Sequence, residues 1–266
     1  MSKTIGIAGL GWLGLPLAQR LQFLGFQVKG TVTQLEKATA LQKKGFNAYP
    51  LTLTERGIQG STDAFLKDIE TLIIMIPPGL RRGTGADYVL KMTYFLEAIE
   101  ASEIQHCIFI SSTSVYGDAQ QKVNEGDIPK PDTEAGRQLL QVEQLFFNAS
   151  FTTSIVRFGG LLGGSRQPVR YLAGREGLNN GDAPVNLIHR EDCIGILIKI
   201  IKQQAFGHIF NAVHPEHPSK KTYYVQKAKE LGLEPPSYSE ENDTTFKEVH
   251  SVNIPNILQY RFQKAL

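Results

Sequence analysis

Apolar positions recur along this 266-residue chain in two alternating rhythms. Short β-branched runs at 4–8, 27–32, 46–51, 71–76, 106–111 and 152–157 read as strands. The run at 71–76 has no alternating polar residue, as expected for a strand buried on both faces. Between these runs, segments 15–24, 36–44, 87–101 and 134–149 carry apolar residues at helical spacing. Val89, Met92, Leu96 and Ile99 form one such stripe, and Leu139, Val142 and Phe146 another. Gly25 and Gly45 follow the first two helices as stop signals. Strand–helix alternation of this kind predicts an α/β fold with a doubly wound parallel sheet. Its ligand crevice should lie at the carboxyl ends of the strands.

Beyond Arg157 the texture changes. Seven glycines between Gly159 and Gly181 mark a loop-rich stretch, followed by a helix at 191–202, a strand at 208–212 and a helix at 220–231. The tail from Pro235 is polar and weakly patterned. The expected organisation is a nucleotide-binding part over 1–158. The remaining strands and a small C-terminal substrate lobe follow over 159–266, in one continuous unit.

Composition narrows the class without choosing the chemistry. Lys and Arg number 28 against 26 acids, so the net charge of +2 offers no basic excess for nucleic acid or an anionic membrane. The two cysteines, Cys107 and Cys193, are too few for a disulfide framework, which points to a reducing, cytoplasmic setting. The uncharged stretch 5–18 is broken by four glycines and Pro16, so it does not read as a signal peptide. No apolar run approaches the roughly 20 residues that span a bilayer. His214-Pro-Glu-His217 lacks a matching third and fourth ligand, and no metal is expected.

The first strand runs directly into Gly9-Leu10-Gly11-Trp12-Leu13-Gly14, which opens the first helix. In that context a G-x-G-x-x-G is a dinucleotide loop on a Rossmann-type sheet. Gly9 permits the turn, Gly11 lets backbone approach a pyrophosphate, and Gly14 allows close helix packing. NAD binding calls for an acid at the end of the second strand, to hold the ribose 2′-hydroxyl. Here Thr31 and Thr33 stand there with Lys37 nearby, a set better suited to the 2′-phosphate of NADP, although threonines also simply suit β geometry. The fourth strand closes on Ile76-Pro77-Pro78-Gly79, which reads equally as a wall beside a cofactor or as strand termination. Arg81 and Arg82, in the loop after it, are candidate contacts for an anionic substrate or plain solvated charges. Ser111-Ser112-Thr113-Ser114-Val115-Tyr116-Gly117 ends the fifth strand, where an open α/β sheet places reactive groups.

These motifs, in this order, make the chain resemble the extended short-chain dehydrogenase/reductase superfamily, the branch of NAD(P)-dependent epimerases, dehydratases and reductases of nucleotide sugars. Glu125 with Pro129 and Pro131, Val156-Arg157-Phe158-Gly159-Gly160, and the segment from Val185 to Asp192 extend the resemblance to about Leu233. It implies Ser112 as the hydroxyl that bonds the reacting substrate oxygen, with Ser111 on the cofactor side. It also implies a small-molecule substrate of nucleotide-sugar type, NADP or NAD as cofactor, and a homodimer as a candidate assembly.

The chain departs from the family at one place. Where the family carries Tyr-x-x-x-Lys, this sequence reads Thr133 and Arg137. A threonine hydroxyl is too weakly acidic for proton transfer near neutral pH. Arg137 can donate hydrogen bonds to a ribose but stays protonated. The resemblance is therefore to atypical members, in which either another residue moves the proton or oxidoreduction has given way to cofactor sensing. Tyr116, on the loop of Ser112, is the nearest substitute, and a packed ring that stabilises the turn is its other reading. His189 likewise reads as an acid/base group or as a helix-start residue.

Overall fold

The computed structural model describes residues 4–79, 87–240 and 245–266. Arg81 and Arg82 lie outside the described residues. In chain order the elements are β1 (Thr4–Ala8), α1 (Gly14–Phe23), β2 (Gln27–Val32), α2 (Leu35–Gln42), β3 (Asn47–Thr54), β4 (Gly57–Gly60) and α3 (Thr62–Leu66). They continue with β5 (Thr71–Ile74), α4 (Tyr88–Glu100), β6 (His106–Ser112), β7 (Gln121–Val123), α5 (Glu134–Phe147) and β8 (Thr152–Phe158). The last are β9 (Gly160–Leu162), β10 (Leu187–His189), α6 (Arg190–Gln203), β11 (Ile209–Ala212), α7 (Lys220–Glu230) and β12 (Lys247–Val249). No helix among the described residues is long and apolar enough to cross a membrane.

The main sheet has the order β11-β8-β6-β5-β1-β2-β3-β4. β1 pairs in parallel with β2 on one side and β5 on the other, β2 with β3, and β5 with β6. The chain thus winds outward in both directions from β1, which creates a switch point at the carboxyl ends of β1 and β5. β4 departs from the expected all-parallel sheet by pairing antiparallel with β3. Only Glu55 and Arg56 separate the two strands, and so short a link permits only a hairpin.

The chain clusters into two compact units. The first comprises Met1–Ser111, Glu134–Val156 and Ile200–Ile209. Its core is built from fully buried Ile7, Leu17, Ile73, Phe95, Phe109 and Phe146, each contributing roughly 1.5–3 kcal/mol by leaving water. α1 and α2 stop at Gly25 and Gly45, both left-handed at φ +89 and +83. The following N–H groups of Phe26 and Phe46 return to the carbonyls of Leu21 and Leu41, which closes the two helix ends. α4 starts at Asp87, whose carboxylate accepts from the Leu90 N–H at 2.9 Å.

The second unit comprises Ser112–Thr133, Arg157–Lys199 and Phe210–Leu266. Two short parallel pairs, β9 with β10 and β7 with β12, order its loops. Strands of three residues have too few ladder bonds to persist alone, and side chains supply the rest. Asn186 acts as a substitute strand partner: its amide donates to the Lys247 carbonyl at 2.8 Å and accepts from the Val249 N–H at 2.7 Å. Glu125 holds three donors, the N–H of Asn211 at 2.9 Å, the N–H of Val252 at 2.8 Å and the Ser251 hydroxyl.

Those three bonds end on one charged carboxylate, so its loss leaves several donors unsatisfied at once. Glu125→Ala is expected to lower stability by about 2–4 kcal/mol in urea unfolding, and a loss below about 1 kcal/mol would contradict this account.

Candidate functional site

A cavity of about 430 Å³ opens in the first unit at the switch point. Gly9, Leu10 and Gly11 form one wall, Thr31 and Thr33 a second, and Met75, Ile76 and Pro77 a third. The glycines divide their tasks. Gly9 turns the chain at φ +117, close enough to β5 that an added Cβ would lie 3.2 Å from the Met75 carbonyl oxygen. A Cβ on Gly14 would lie 2.1 Å from the Gly9 oxygen, so only glycine allows α1 to start this near β1. Gly11 meets nothing within 4 Å, because its face is turned to open space. Trp12 and Leu13 complete the turn without lining the cavity.

α1 begins without a side-chain cap and without an acidic residue in its first turn. Its N-terminal dipole is therefore uncompensated by the sequence, a state that favours an anion beside the loop. The Leu10 N–H donates to the Thr31 carbonyl at 2.7 Å and fixes the loop to β2. On the opposite wall, the Tyr88 hydroxyl donates to the Ile76 carbonyl at 2.8 Å. Tyr88 is buried, which pushes its hydroxyl pKa up and keeps it a neutral donor. Thr31 is buried, whereas Thr33 and Lys37 are exposed at the rim. Among the described residues no carboxylate lines this cavity, and the charged groups that do are Lys37 and Lys91. Lys91 lies 3.9 Å from Glu55, whereas Lys37 lines the cavity on the α2 side with the threonines.

Ser111 and Ser112 end β6, and Ser111 Oγ is buried with no hydrogen-bond partner among the described residues. Ser112 is partly exposed, and its Oγ accepts from the Ser114 N–H at 3.2 Å. That bond orients the hydroxyl while leaving its own proton available for donation.

A second cavity, of about 270 Å³, lies within the second unit. Thr113 and Asp118 line it from the loop after Ser112, and Asn186 and Leu187 from the approach to β10. Tyr224 on α7, with Phe246 and Lys247 at β12, complete the walls. Sequence reading missed most of these residues because their apolar and charged types carry no motif.

Tyr116, within the loop after Ser112, is fully buried. Its hydroxyl donates to the Asn124 carbonyl at 2.9 Å and accepts from Arg157 Nη1 at 2.7 Å, and the Asn211 amide lies 3.2 Å away. The Arg157 guanidinium also sits 5.1 Å from the ring centroid. Burial raises the Tyr116 pKa, against the opposing pull of Arg157 and the Asn211 hydrogen bond. Arg137 lies on the exposed surface of α5, where it pairs with Glu134 at 3.1 Å, and it lines neither cavity. His189 closes β10 and accepts at Nδ1 from the Glu191 N–H at 3.2 Å, while burial lowers its pKa. His217 bonds the Val185 carbonyl at 2.9 Å, and its ring stands edge-on to His250.

No family model matches the chain. Its structure is similar to that of a UDP-N-acetylglucosamine 4-epimerase from Bacillus cereus, with a TM-score of 0.80 at 14% identity, covering 99% of this chain and 95% of that one. It is also similar to MoeE5 in complex with UDP-glucuronic acid and NAD, with a TM-score of 0.79 at 18% identity, covering 98% and 94%. The fold is therefore that of the epimerase and short-chain dehydrogenase/reductase proteins. Within that class the sequence is 37% identical to protein YeeZ of Escherichia coli strain K12 over 265 residues, 98% of this chain and 96% of YeeZ. The chain belongs to the YeeZ family.

The glycine loop yields a paired test of packing against open space. Gly14→Ala is expected to cost about 2–4 kcal/mol of stability through its clash with the Gly9 carbonyl. Gly11→Ala, facing open space, should stay within about 0.5 kcal/mol of the parent. Thermal or urea unfolding of both variants compares them directly, and equal costs would refute the geometry.

Proposed function

We propose that the protein is an NAD(P)-dependent enzyme of the epimerase, dehydratase or reductase type. It uses NADP in preference to NAD and acts on a nucleotide sugar or a small carbonyl compound. The observation that carries this reading is the glycine loop at the switch point. Gly9 and Gly14 allow the α1 N-terminus to sit against β1, and Gly11 presents bare backbone to the cavity. The residues present fit a dinucleotide: uncapped first-turn N–H groups for the pyrophosphate, and Ile76 and Pro77 as an apolar wall. When bound, the nicotinamide ring supplies the site with a hydride donor or acceptor.

The preference for NADP rests on the rim. Thr33 and Lys37 offer a hydroxyl and an ammonium where a ribose diol would need a carboxylate, and no carboxylate lines the cavity among the described residues. Ser112 donates its hydroxyl proton in a hydrogen bond to the reacting substrate oxygen, steadied by the Ser114 N–H. Tyr116 acts through position: its hydroxyl, held by Asn124, Arg157 and Asn211, anchors the loop that carries Ser112. The second cavity, next along the chain from Ser112, is the seat for the substrate's nucleotide part, and Tyr224 and Phe246 give it flat apolar surface.

A second reading has support of its own. The Tyr116 hydroxyl is fully engaged and Arg137 is tied to Glu134 on the surface, so neither stands ready to move a proton. On that reading the chain binds a dinucleotide and reports its presence without turnover.

Titration with NADPH and NADH, followed by nicotinamide absorbance with a panel of nucleotide sugars, separates the two. The enzymatic reading expects NADPH to bind about tenfold more tightly than NADH, or about 1.4 kcal/mol, and Lys37→Gln to erase that difference. It expects Ser112→Ala to lower kcat about 100-fold or more. Tight binding with no turnover across the panel selects the sensor. Failure to bind either dinucleotide sinks both readings.

A further inference from the structure

The second cavity brings two lysines and one carboxylate into the same lining. Lys247, at the start of β12, reaches back to the loop that follows Ser112. Its ammonium donates to the Tyr116 carbonyl at 2.7 Å and pairs with the Asp118 carboxylate at 3.0 Å. The two partners differ in how firmly they are held. The Tyr116 carbonyl belongs to a residue fixed on four sides, by Asn124, Arg157, Asn211 and Lys247 itself. The Asp118 side chain is 63% exposed, while that of Lys247 is only 19% exposed. No other contact of the Asp118 carboxylate is formed among the described residues. A second cation, Lys220 at the start of α7, lines the same cavity and makes no ion pair among the described residues.

Lys247 cannot leave cheaply, because β12 is pinned through its own backbone. The Lys247 carbonyl accepts from the Asn186 amide, and the strand pairs with β7. Asp118 can leave, because an ion pair so exposed contributes little and its carboxylate is readily rehydrated. The cavity therefore holds one fixed ammonium whose charge is balanced by a removable carboxylate, and Lys220 adds a second cation to its lining.

We infer that Asp118 is a resident counter-ion, and that the phosphate group of an incoming ligand displaces it from Lys247 and is shared with Lys220. The inference rests on the second cavity being the substrate's seat and adds how that seat selects its occupant. A diphosphate brings at least two negative charges to two ammonium groups and outcompetes a single carboxylate. A neutral nucleoside or sugar cannot displace Asp118 and meets an occupied Lys247. Asp118 thus selects for anionic ligands, and the Lys247 bond to the Tyr116 carbonyl links their arrival to the loop bearing Ser112. Free pyrophosphate and a nucleoside diphosphate share this chemistry and differ only in what else the walls contact.

Calorimetric titration of the full chain at low ionic strength tests the exchange, with UDP, inorganic pyrophosphate and uridine as probes. Asp118→Asn is expected to tighten UDP about fivefold, with uridine unchanged, because only the competing charge has been removed. Lys247→Met should weaken UDP about tenfold or more, and Lys220→Met less. Tightening of UDP beyond pyrophosphate assigns the seat to a nucleoside diphosphate, and tightening of pyrophosphate alone assigns it to the free anion. Unchanged or weaker binding of both in Asp118→Asn, or equal tightening of uridine, overturns the inference. Asp118→Ala repeats the test without the amide. NADPH titration of the same samples keeps the two readings apart. Loss of dinucleotide binding with the UDP response intact sinks the enzyme and spares the exchange, and the reverse sinks the exchange alone.

Discussion

The close approach of α1 to β1 governs the first unit. Gly14 stands so near the Gly9 carbonyl that any side chain there would overlap it, and this contact sets where the helix axis begins. From it follow the tight turn at Gly9, the bare face of Gly11 and an N-terminal dipole with no internal cap. The sheet order places this turn beside the end of β5, where Met75 to Pro77 close the cavity. One packing constraint of a few ångströms thus produces both the helix orientation and an anion-receptive surface. The same glycines would be a local weakness without the fully buried Ile7, Leu17 and Ile73 beneath them.

The second unit works by a different rule. Its strands are three residues long, and buried polar groups rather than ladder bonds fix their register. Tyr116, Arg157, Asn211 and Glu125 form a connected hydrogen-bonded set, and Asn186 joins β12 to the segment before β10. Such networks are stiff when complete and costly when one member is removed. Stiffness matters here because the loop from Ser112 to Asp118 holds the Ser112 hydroxyl in place, while the Asp118 side chain at its end is largely exposed.

Periodicity made the first unit largely legible. β1, β2 and the run of buried residues in β5 follow from β-branched composition, and α4 and α5 from their apolar stripes. The glycine loop could be read because its spacing has a mechanical reason. β4 was hidden: Gly57-Ile58-Gln59-Gly60 offers one apolar side chain and two glycines, and its existence depends on the hairpin link. β7 and β12 were hidden because no three-residue strand shows a period. Tyr116 illustrates the deeper limit. Its motif placed it beside Ser112, yet its hydrogen bonds reach partners 41 and 95 positions away, and these decide that the hydroxyl is engaged. Lys247 lies 131 positions from the carbonyl it holds, in a tail that shows no pattern.

A dinucleotide at the glycine loop and a phosphate-bearing substrate at the second cavity, as proposed for this one chain, would leave separate footprints. Hydrogen–deuterium exchange with NADPH and with UDP-glucose, each added alone, tests this most directly. The account predicts that NADPH protects peptides covering Gly9 to Gly14 and Met75 to Pro77, and that UDP-glucose protects those covering Thr113 to Asp118 and Thr245 to Val249. Unchanged exchange at the glycine loop with saturating NADPH would contradict it.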